Sequence, residues 1–333
     1  MRYRKLGVSG IEASVVGFGA WVTGGGAWWG GAADDAESVR AIQAALDAGV
    51  TLIDTAPAYG YGHSEEVVGK AVRGRRDRVV IATKCGLWWQ DGRGAPFVET
   101  DGRLLRRSLH PDTLRVEAEQ SLKRLGIDRI DLYQIHWPSA PPESTPVADT
   151  MACLMDLQRQ GKIRAIGLCN VTLAELKDHR AAGEVASDQF RYSMLSRVPE
   201  ADILPYCRDQ GLATLTYMSL EQGLLAGKVG MDRVFKPGEF RTNEAWNPWF
   251  RIENRKRILD LLAGWKDLAG RYGCPLARLV IAWTLAQPGV THCLCGTRNV
   301  AQAVENAAGA DLVLDPADLK RMRRDVEALG QPA

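Results

Sequence analysis

Residues 51–70 have the sequence TLIDTAPAYGYGHSEEVVGK, and this stretch decides the fold because it contains one complete strand–loop–helix unit. An apolar strand pattern over 51–53 ends at Asp54, the following loop carries Tyr59, and a helical pattern begins at Ser64. Two glutamates occupy the first helical turn, where negative charge is stabilised. In a parallel α/β protein, catalytic groups collect at the carboxyl ends of the strands. Asp54 and Tyr59 are therefore candidates for a site at such an edge.

The same unit repeats along the chain. The apolar strand patterns cover residues 15–18, 51–54, 79–84, 130–136, 163–168, 185–189, 213–217 and 290–294. Alternating strands and helices predict a parallel sheet, and eight units in 333 residues favour one closed (β/α)8 TIM barrel as a single domain over 1–333. The GxGxxG fingerprint of an open dinucleotide-binding sheet is absent.

Three features lie outside the repeat. A short polar hairpin is predicted at residues 2–12, and an extra helix after Asp315-Pro316. Long insertions follow the third and seventh strands, and the second of them covers about 221–251. The helical patterns after this insertion cover 253–271 and 276–286.

The composition is that of an ordinary globular protein, with 46% hydrophobic and 25% charged residues. A net charge of +2 gives no electrostatic reason to expect nucleic acid or a membrane surface as partner. No apolar run approaches a membrane span, and no signal-peptide pattern is present. Seven cysteines without a CxxC pair are typical of reduced thiols, and the five histidines lack metal-ligand spacing. We therefore expect a cytoplasmic protein without a metal.

Tryptophan is unusually frequent, with ten copies. Eight lie in or beside connections rich in glycine or proline: Trp21, Trp28, Trp29, Trp88, Trp89, Trp137, Trp246 and Trp249. Aromatic residues on loops favour a lined pocket. The alternative is that these loops pack on their own aromatic residues.

Three consecutive predicted strands end in residues that can carry chemistry. Asp54 ends the second strand, Lys84 the third and His136 the fourth, while Tyr59 lies on the loop after Asp54. Each residue also has an ordinary, non-catalytic interpretation. Asp54 is then a cap or turn residue, Lys84 a solvated strand end, Tyr59 a residue that packs within its loop, and His136 a hydrogen-bonded histidine of the core. Their occurrence at three successive strand ends of one barrel favours a catalytic site.

Several segments, taken in order, resemble the aldo-keto reductase superfamily. They are DTAPAYG (54–60), ATK (82–84), DLYQIHWP (131–138), IRAIGLCN (163–170) and CGTRNVAQAVEN (295–306). HWP, the long insertions and GLLAGK (223–228) are most similar to the bacterial and plant branch that also contains potassium-channel β subunits.

The resemblance implies a catalytic tetrad of Asp54, Tyr59, Lys84 and His136. Tyr59 is then the proton donor to a substrate carbonyl, and His136 orients that carbonyl. A free tyrosine has a pKa of about 10, and a nearby ammonium lowers it. We therefore expect Lys84 to lower the pKa of Tyr59, with Asp54 holding Lys84 in place.

The same resemblance implies the cofactor contacts. They are Asn170, Gln189 and Tyr217 at the nicotinamide; Ser219 and Leu220 at the pyrophosphate; Gly223, Leu225 and Lys228 in a strap; and Gly296, Thr297, Arg298, Gln302 and Asn306 at the adenosine end. A helix N-terminus with a guanidinium binds phosphate well, and no acid stands at the position of a ribose-binding carboxylate, so we expect NADP(H). Arg298 as a loop cap is the alternative. Glu221 departs from the family pattern, since an acid beside a pyrophosphate is unfavourable unless it points away.

The predicted function is NADPH-dependent, reversible reduction of aldehydes or ketones to alcohols. The expected pocket walls are Tyr59, Trp21, Trp88 or Trp89, and Trp137, together with insertion residues near Trp246, and they favour apolar or neutral substrates. Arginines 93, 103 and 106 in the first insertion are placed to select an acid or a sugar if they reach inward. One alternative is a redox-sensing module that binds NADPH and turns over slowly. Another, independent of the resemblance, is a barrel aldolase with Lys84 as a Schiff-base lysine.

Overall fold

The computed structural model describes residues 1–333 and contains thirteen strands. In chain order they are β1 (Tyr3–Lys5), β2 (Glu12–Ser14), β3 (Val16–Gly19), β4 (Leu52–Asp54), β5 (Val80–Cys85), β6 (Leu87–Trp88), β7 (Ala95–Thr100), β8 (Arg103–Arg107), β9 (Ile130–Ile135), β10 (Ile163–Cys169), β11 (Ser187–Arg191), β12 (Ala213–Tyr217) and β13 (His292–Gly296). Eight of them, β3, β4, β5 and β9–β13, form a closed parallel barrel, which confirms the predicted (β/α)8 architecture.

Eleven helices accompany the strands. They are α1 (Asp35–Asp47), α2 (His63–Val72), α3 (Pro111–Leu125), α4 (Val147–Arg159), α5 (Leu173–Ala182), α6 (Ile203–Asp209), α7 (Ile252–Ala263), α8 (Lys266–Arg271), α9 (Leu276–Leu285), α10 (Val300–Ala308) and α11 (Pro316–Glu327). Their ends follow local chemistry: Thr172 and Glu175 form a capping box at the start of α5, and α3 ends at Gly126 with φ +64°. None of the helices has both the length and the apolar composition needed to cross a membrane.

The predicted N-terminal hairpin is present as the antiparallel pair β1–β2. Its connection brings Leu6 and Ile11 against side chains inside the barrel, among them Leu52, Leu132 and Leu215. The hairpin therefore packs on the barrel core, and the predicted site lies at the opposite, carboxyl ends of the strands.

Some predicted boundaries were wrong. The sixth and eighth barrel strands begin two residues later than expected, at Ser187 and His292. The single helical pattern 253–271 is two helices, α7 and α8, separated at Gly264 and Trp265. Trp265 is fully buried and its indole N–H donates to Asp325, so this contact fixes the break.

The two predicted insertions have different structures. The first is a three-stranded antiparallel sheet in the order β6–β8–β7. The second, between β12 and α7, is irregular apart from short 3-10 turns. It reaches the loop between β3 and α1, where Phe240 packs 5.0 Å from Trp21 and the Lys236 ammonium donates to the Gly30 carbonyl at 2.9 Å. These two segments together cover one side of the barrel mouth.

Candidate active site

The barrel brings the acid, the lysine and the tyrosine of the predicted tetrad into direct contact. The register pairs Asp54 with Ala82 and Lys84 with Gln134, so the ends of β4, β5 and β9 lie side by side. Lys84 Nζ donates to Asp54 Oδ1 at 2.6 Å, to the Thr55 carbonyl at 2.9 Å and to Tyr59 Oη at 3.1 Å. Because the ammonium is the donor to Tyr59, the phenolic hydrogen remains available to another acceptor.

Lys84 is completely buried, and its charge is compensated locally. Burial alone would lower the pKa of Lys84, but the Asp54 carboxylate outweighs it and raises the pKa above the ordinary lysine value. The lysine is therefore an ammonium at neutral pH, held between a carboxylate and a phenol.

Lys84 lowers the pKa of Tyr59 as expected, but the net pKa is raised rather than lowered. Burial raises this pKa to about 12, and the Lys84 ammonium offsets only part of the increase. Exclusion of water penalises the phenolate more than one nearby cation stabilises it. Tyr59 is therefore a neutral phenol throughout the physiological pH range.

His136 follows β9 and completes the group. Its ring lies 5.7 Å from the Tyr59 ring in an edge-on arrangement, and both side chains line the same cavity. Burial, followed by the positive charge of Lys84, keeps the pKa of His136 well below its usual value. The imidazole is therefore neutral and presents one N–H donor and one acceptor.

Gln134, which was not identified from the sequence, hydrogen-bonds to the carboxylate of Asp54. Gln134 Nε2 donates to Asp54 Oδ2 at 3.0 Å, and Gln189 Nε2 donates to the same oxygen at 2.8 Å. Gln189 also donates to Gln134 Oε1 at 3.1 Å. The signal was available, because Gln134 precedes His136 by two positions in the predicted strand 130–136 and such residues face the same side.

Asn170 connects two strand ends. Its side-chain amide donates to the His136 carbonyl at 3.0 Å and accepts from the Tyr217 hydroxyl at 2.7 Å. Asn170 has a φ of +59°, a left-handed conformation that asparagine tolerates better than most residues. These bonds fix the loop after β10 against the loop after β9 and against the end of β12.

A cavity of about 640 Å³ opens beside this group. The catalytic candidates Asp54, Tyr59 and His136 line it, whereas Lys84 lies behind Tyr59. The predicted cofactor residues that line it are Asn170, Gln189, Tyr217, Ser219, Leu220, Gly223, Lys228, Gly296, Thr297, Arg298, Gln302 and Asn306. Leu225 does not line it: this residue is fully buried in the hydrophobic core, so its prediction as a cofactor contact is corrected.

The aromatic walls differ from the predicted set. Trp21 and Trp137 line the cavity as expected, but Trp88 and Trp89 do not. Trp88 is 2% exposed and its indole N–H donates to Asp91 at 2.7 Å, while Trp89 packs 5.5 Å from the Tyr61 ring. Neighbouring residues on a strand face opposite sides, so Leu87 faces the cavity and Trp88 faces away.

Four aromatic residues that were not assigned to the pocket also line it, namely Trp28, Trp29, Phe97 and Phe240. Trp246 of the second insertion lines it as expected. Trp246 lies 6.2 Å from Trp137, and Phe97 lies 5.2 Å from Trp137. Both insertions therefore contribute to a continuous aromatic wall near Tyr59.

Glu221 points away from the cavity. It is 1% exposed, and its carboxylate forms a 2.7 Å ion pair with Arg191 and accepts from the Ser193 hydroxyl. Met218, Glu221 and Gln222 have φ values of +59°, +42° and +51°. Such conformations cost about 1–3 kcal/mol each and cluster at binding sites. The loop after β12 is thus strained and turns its acid inward to the protein.

The far end of the cavity is strongly basic. Arg298 lies just before α10 and lines the cavity with Arg233 and Arg241, two arginines of the second insertion that sequence reasoning missed. The Thr297 hydroxyl is buried and has no hydrogen-bond partner. Arg241 is paired with Glu239, and Glu305 also lines the cavity, but the remaining guanidiniums and the unpartnered hydroxyl make this end suitable for phosphate groups.

A barrel with this arrangement at its carboxyl end, next to a cavity with a basic end, is characteristic of an oxidoreductase that acts on carbonyl groups. A sequence model of the aldo/keto reductase family matches residues 15–326, and the chain belongs to this family.

Curated relatives and solved structures agree with this assignment. The chain is 41% identical over 330 residues to an NADH-specific methylglyoxal reductase of Escherichia coli, covering 99% of both chains. It resembles a glycerol dehydrogenase structure from Gluconobacter oxydans with a TM-score of 0.85 and 34% identity, covering 99% of this chain and 96% of that one. An aldo/keto reductase from Klebsiella pneumoniae, solved with NADP and acetate, matches with a TM-score of 0.71 and 28% identity over 96% and 93% of the two chains. The relatives thus differ in the cofactor that their names state.

Proposed function

We propose that this protein reduces aldehydes or ketones to alcohols with NADP(H), and that Tyr59 is the general acid. The observation that carries the proposal is the 3.1 Å hydrogen bond from Lys84 Nζ to Tyr59 Oη at the cavity wall. It leaves the phenolic proton free for a carbonyl oxygen, and the adjacent ammonium stabilises the phenolate that forms as the proton leaves.

The residues around the cavity fit a dinucleotide. Asn170 hydrogen-bonds to Tyr217 and to the His136 carbonyl beside Tyr59. Arg298, by contrast, lies against the Trp29 ring and directly follows Thr297, whose hydroxyl is unpartnered. Glu221 is turned away, which removes the charge repulsion that its position in the sequence implied. When bound, a reduced nicotinamide supplies the hydride that the carbonyl carbon accepts.

The neighbours of Tyr59 define its part in the reaction. The neutral imidazole of His136 is positioned to donate a hydrogen bond to the substrate oxygen and so direct it toward the phenol. Asp54, held by Gln134 and Gln189, keeps Lys84 charged and in place. The aromatic walls lower the local polarity, which strengthens these electrostatic interactions.

The pocket favours small neutral carbonyl compounds. The arginines of the first insertion have other contacts: Arg93 pairs with Asp91, Arg103 stacks on the Tyr61 ring, and Arg106 donates to the Gly94 carbonyl. Aromatic rings therefore provide the specificity near Tyr59. Methylglyoxal, the substrate in the name of the Escherichia coli relative, belongs to this class and is our first candidate.

Cofactor preference follows from the basic end of the cavity. Arg298, Arg241 and Arg233 provide an excess of positive charge, which favours the additional 2′-phosphate of NADP(H). Replacement of Arg298 by alanine is expected to weaken NADPH binding more than NADH binding. Equal losses for the two cofactors would contradict the assignment of Arg298 to the 2′-phosphate.

Stopped-flow measurement of NADPH oxidation with methylglyoxal and with 4-nitrobenzaldehyde tests the activity directly. Rapid, stoichiometric oxidation of bound NADPH supports a reductase. Tight NADPH binding without oxidation by either aldehyde would favour a redox-sensing module. Borohydride trapping of a carbonyl adduct on Lys84, together with no NADPH binding, would favour an aldolase.

A further inference from the structure

The second insertion places one carboxylate among the arginines at the basic end of the cavity. Glu239 is 4% exposed and forms an ion pair with Arg241 through its Oε2 atom. Glu239 could not be recognised in the sequence as an acid near Arg298, because it lies in an irregular segment that is distant from Arg298 along the chain. The fold brings this acid to the phosphate end.

Contacts on both sides fix the position of Glu239. Its Oε1 atom accepts the Lys236 backbone N–H at 3.1 Å. A Cβ atom on Gly30, where φ is +83°, would lie only 2.8 Å from the same oxygen, so the loop after β3 closes directly on the carboxylate. The Lys236 ammonium donates to the Gly30 carbonyl and holds the two segments together. Glu239 is thus built into the covering of the cavity.

The charge of Glu239 acts on the residues expected at the adenosine end. The guanidinium carbons of Arg298 and Arg241 lie 5.3 Å and 5.9 Å from the centre of the Trp29 ring, so both cations flank one indole. Burial alone would raise the pKa of Glu239, but the Lys236 N–H and Arg241 outweigh it and lower that pKa. The carboxylate is therefore ionised, and it compensates part of the positive charge that a phosphate would use.

We propose that Glu239 limits the preference for NADP(H) over NAD(H), so that the protein accepts both cofactors. This inference rests on the proposed function. A 2′-phosphate near Arg298 competes with Glu239 for Arg241 and is repelled by its carboxylate, whereas a ribose with free hydroxyls meets neither penalty. Arg298 therefore increases the preference for NADP(H), whereas Glu239 decreases it.

Glu239→Gln is the direct test, because the amide keeps an acceptor for the Lys236 N–H and removes the charge. The ratio of kcat/KM for NADPH to that for NADH is expected to rise about tenfold, equivalent to about 1.4 kcal/mol. Affinities for 2′,5′-ADP and ADP, from quenching of tryptophan fluorescence, give the same comparison without catalysis. Glu244→Gln is the matched control, because it removes an exposed acid of the same insertion that pairs with Arg251.

Arg241→Gln removes a cation from this end and leaves the charge of Glu239 uncompensated, and both effects are expected to lower the ratio. A ratio that is unchanged or lower in Glu239→Gln overturns the proposal, and so does an equal rise in Glu244→Gln. If the unmodified protein binds neither 2′,5′-ADP nor ADP and oxidises neither cofactor, the proposed function itself fails. Binding of both ligands with no effect of Glu239→Gln refutes the role of Glu239 alone.

Discussion

The carboxylate of Glu221 forms a 2.7 Å ion pair with the guanidinium of Arg191, at the loop that follows the seventh barrel strand. Arg191 also donates to the Trp246 carbonyl of the second insertion. A single arginine thus holds an acid away from the cavity and anchors part of the aromatic wall.

Loss of Arg191 is expected to weaken cofactor binding. In Arg191→Met, the Glu221 carboxylate loses its partner. Because an unpaired ionised acid is costly to bury, we expect the strained loop to rearrange so that this carboxylate reaches solvent in the cavity. We expect the Kd for NADPH, measured by fluorescence titration, to rise at least about tenfold, or 1.4 kcal/mol. The double variant Arg191→Met/Glu221→Gln should recover much of this loss, and a double variant no better than the single one would contradict the explanation.

The buried Lys84–Asp54 pair is expected to matter for stability as well as for activity. Asp54→Asn leaves the ammonium of Lys84 buried without a carboxylate, and breaking a buried pair in this way costs about 3–5 kcal/mol. Urea unfolding at pH 7 measures the loss.

Asp260→Asn is the control for this measurement, because it breaks the exposed Lys256–Asp260 pair and should cost no more than about 1 kcal/mol. Losses of similar size in the two variants would show that the buried pair has no special role.

A second buried acid gives a prediction about pH. Burial raises the pKa of Glu117 to about 8, although the Gly86 N–H donates to its carboxylate. In the unfolded chain this pKa is about 4.3. Between these two pH values, Glu117 is therefore protonated in the folded state and ionised in the unfolded state. The contribution of Glu117 to stability therefore falls as pH rises from about 5 to 8, by at most about 1.4 kcal/mol per pH unit, and is constant above that range.

Glu117→Gln should remove this component, because the neutral amide resembles the protonated acid. The free energy of unfolding, measured from pH 5 to pH 9, should fall less steeply with pH in this variant than in the unmodified protein. Glu119→Gln, which changes an exposed acid of the same helix, should leave the slope as it was. Parallel curves for Glu117→Gln and the unmodified protein would mean that Glu117 is ionised in the folded state.

The aromatic wall can be tested by comparing two tryptophans. Trp137→Ala removes a cavity wall and should lower kcat/KM for 4-nitrobenzaldehyde about tenfold, since stacking contributes about 0.5–1.5 kcal/mol beyond burial. Trp88→Phe should leave kcat/KM unchanged and lower the melting temperature, because Trp88 packs away from the cavity. A lower kcat/KM in Trp88→Phe, with an unchanged kcat/KM in Trp137→Ala, would instead indicate that Trp88 lines the substrate pocket.

The positions of the candidate catalytic residues could be predicted from the sequence because each depends on local patterns. An apolar strand pattern fixes where a strand ends, and the barrel then brings consecutive strand ends together. Asp54, Lys84 and His136 follow from that logic alone. The same reasoning would have found Gln134, which faces inward with His136.

The remaining features depend on tertiary contacts. Glu239 and Arg241 lie in an irregular insertion whose position is set by its packing on the loop after β3, and no periodicity reports that packing. The first insertion was predicted only as a long connection, but it pairs into a sheet whose alternation turns Trp88 away from the cavity. The pKa of Tyr59 was misjudged because the neighbouring lysine is visible in the sequence, whereas the extent of burial is not.

The role of Tyr59 is tested most directly by the rate of hydride transfer in Tyr59→Phe. Single-turnover stopped flow with NADPH and 4-nitrobenzaldehyde isolates this step, and Tyr61→Phe is the control, since Tyr61 donates to the Thr100 carbonyl outside the site. We predict a rate constant lowered roughly 100- to 10,000-fold, the range for loss of a positioned general acid, with an unchanged Kd for NADPH. A Tyr59→Phe variant that transfers hydride at the rate of the unmodified protein would contradict the proposal.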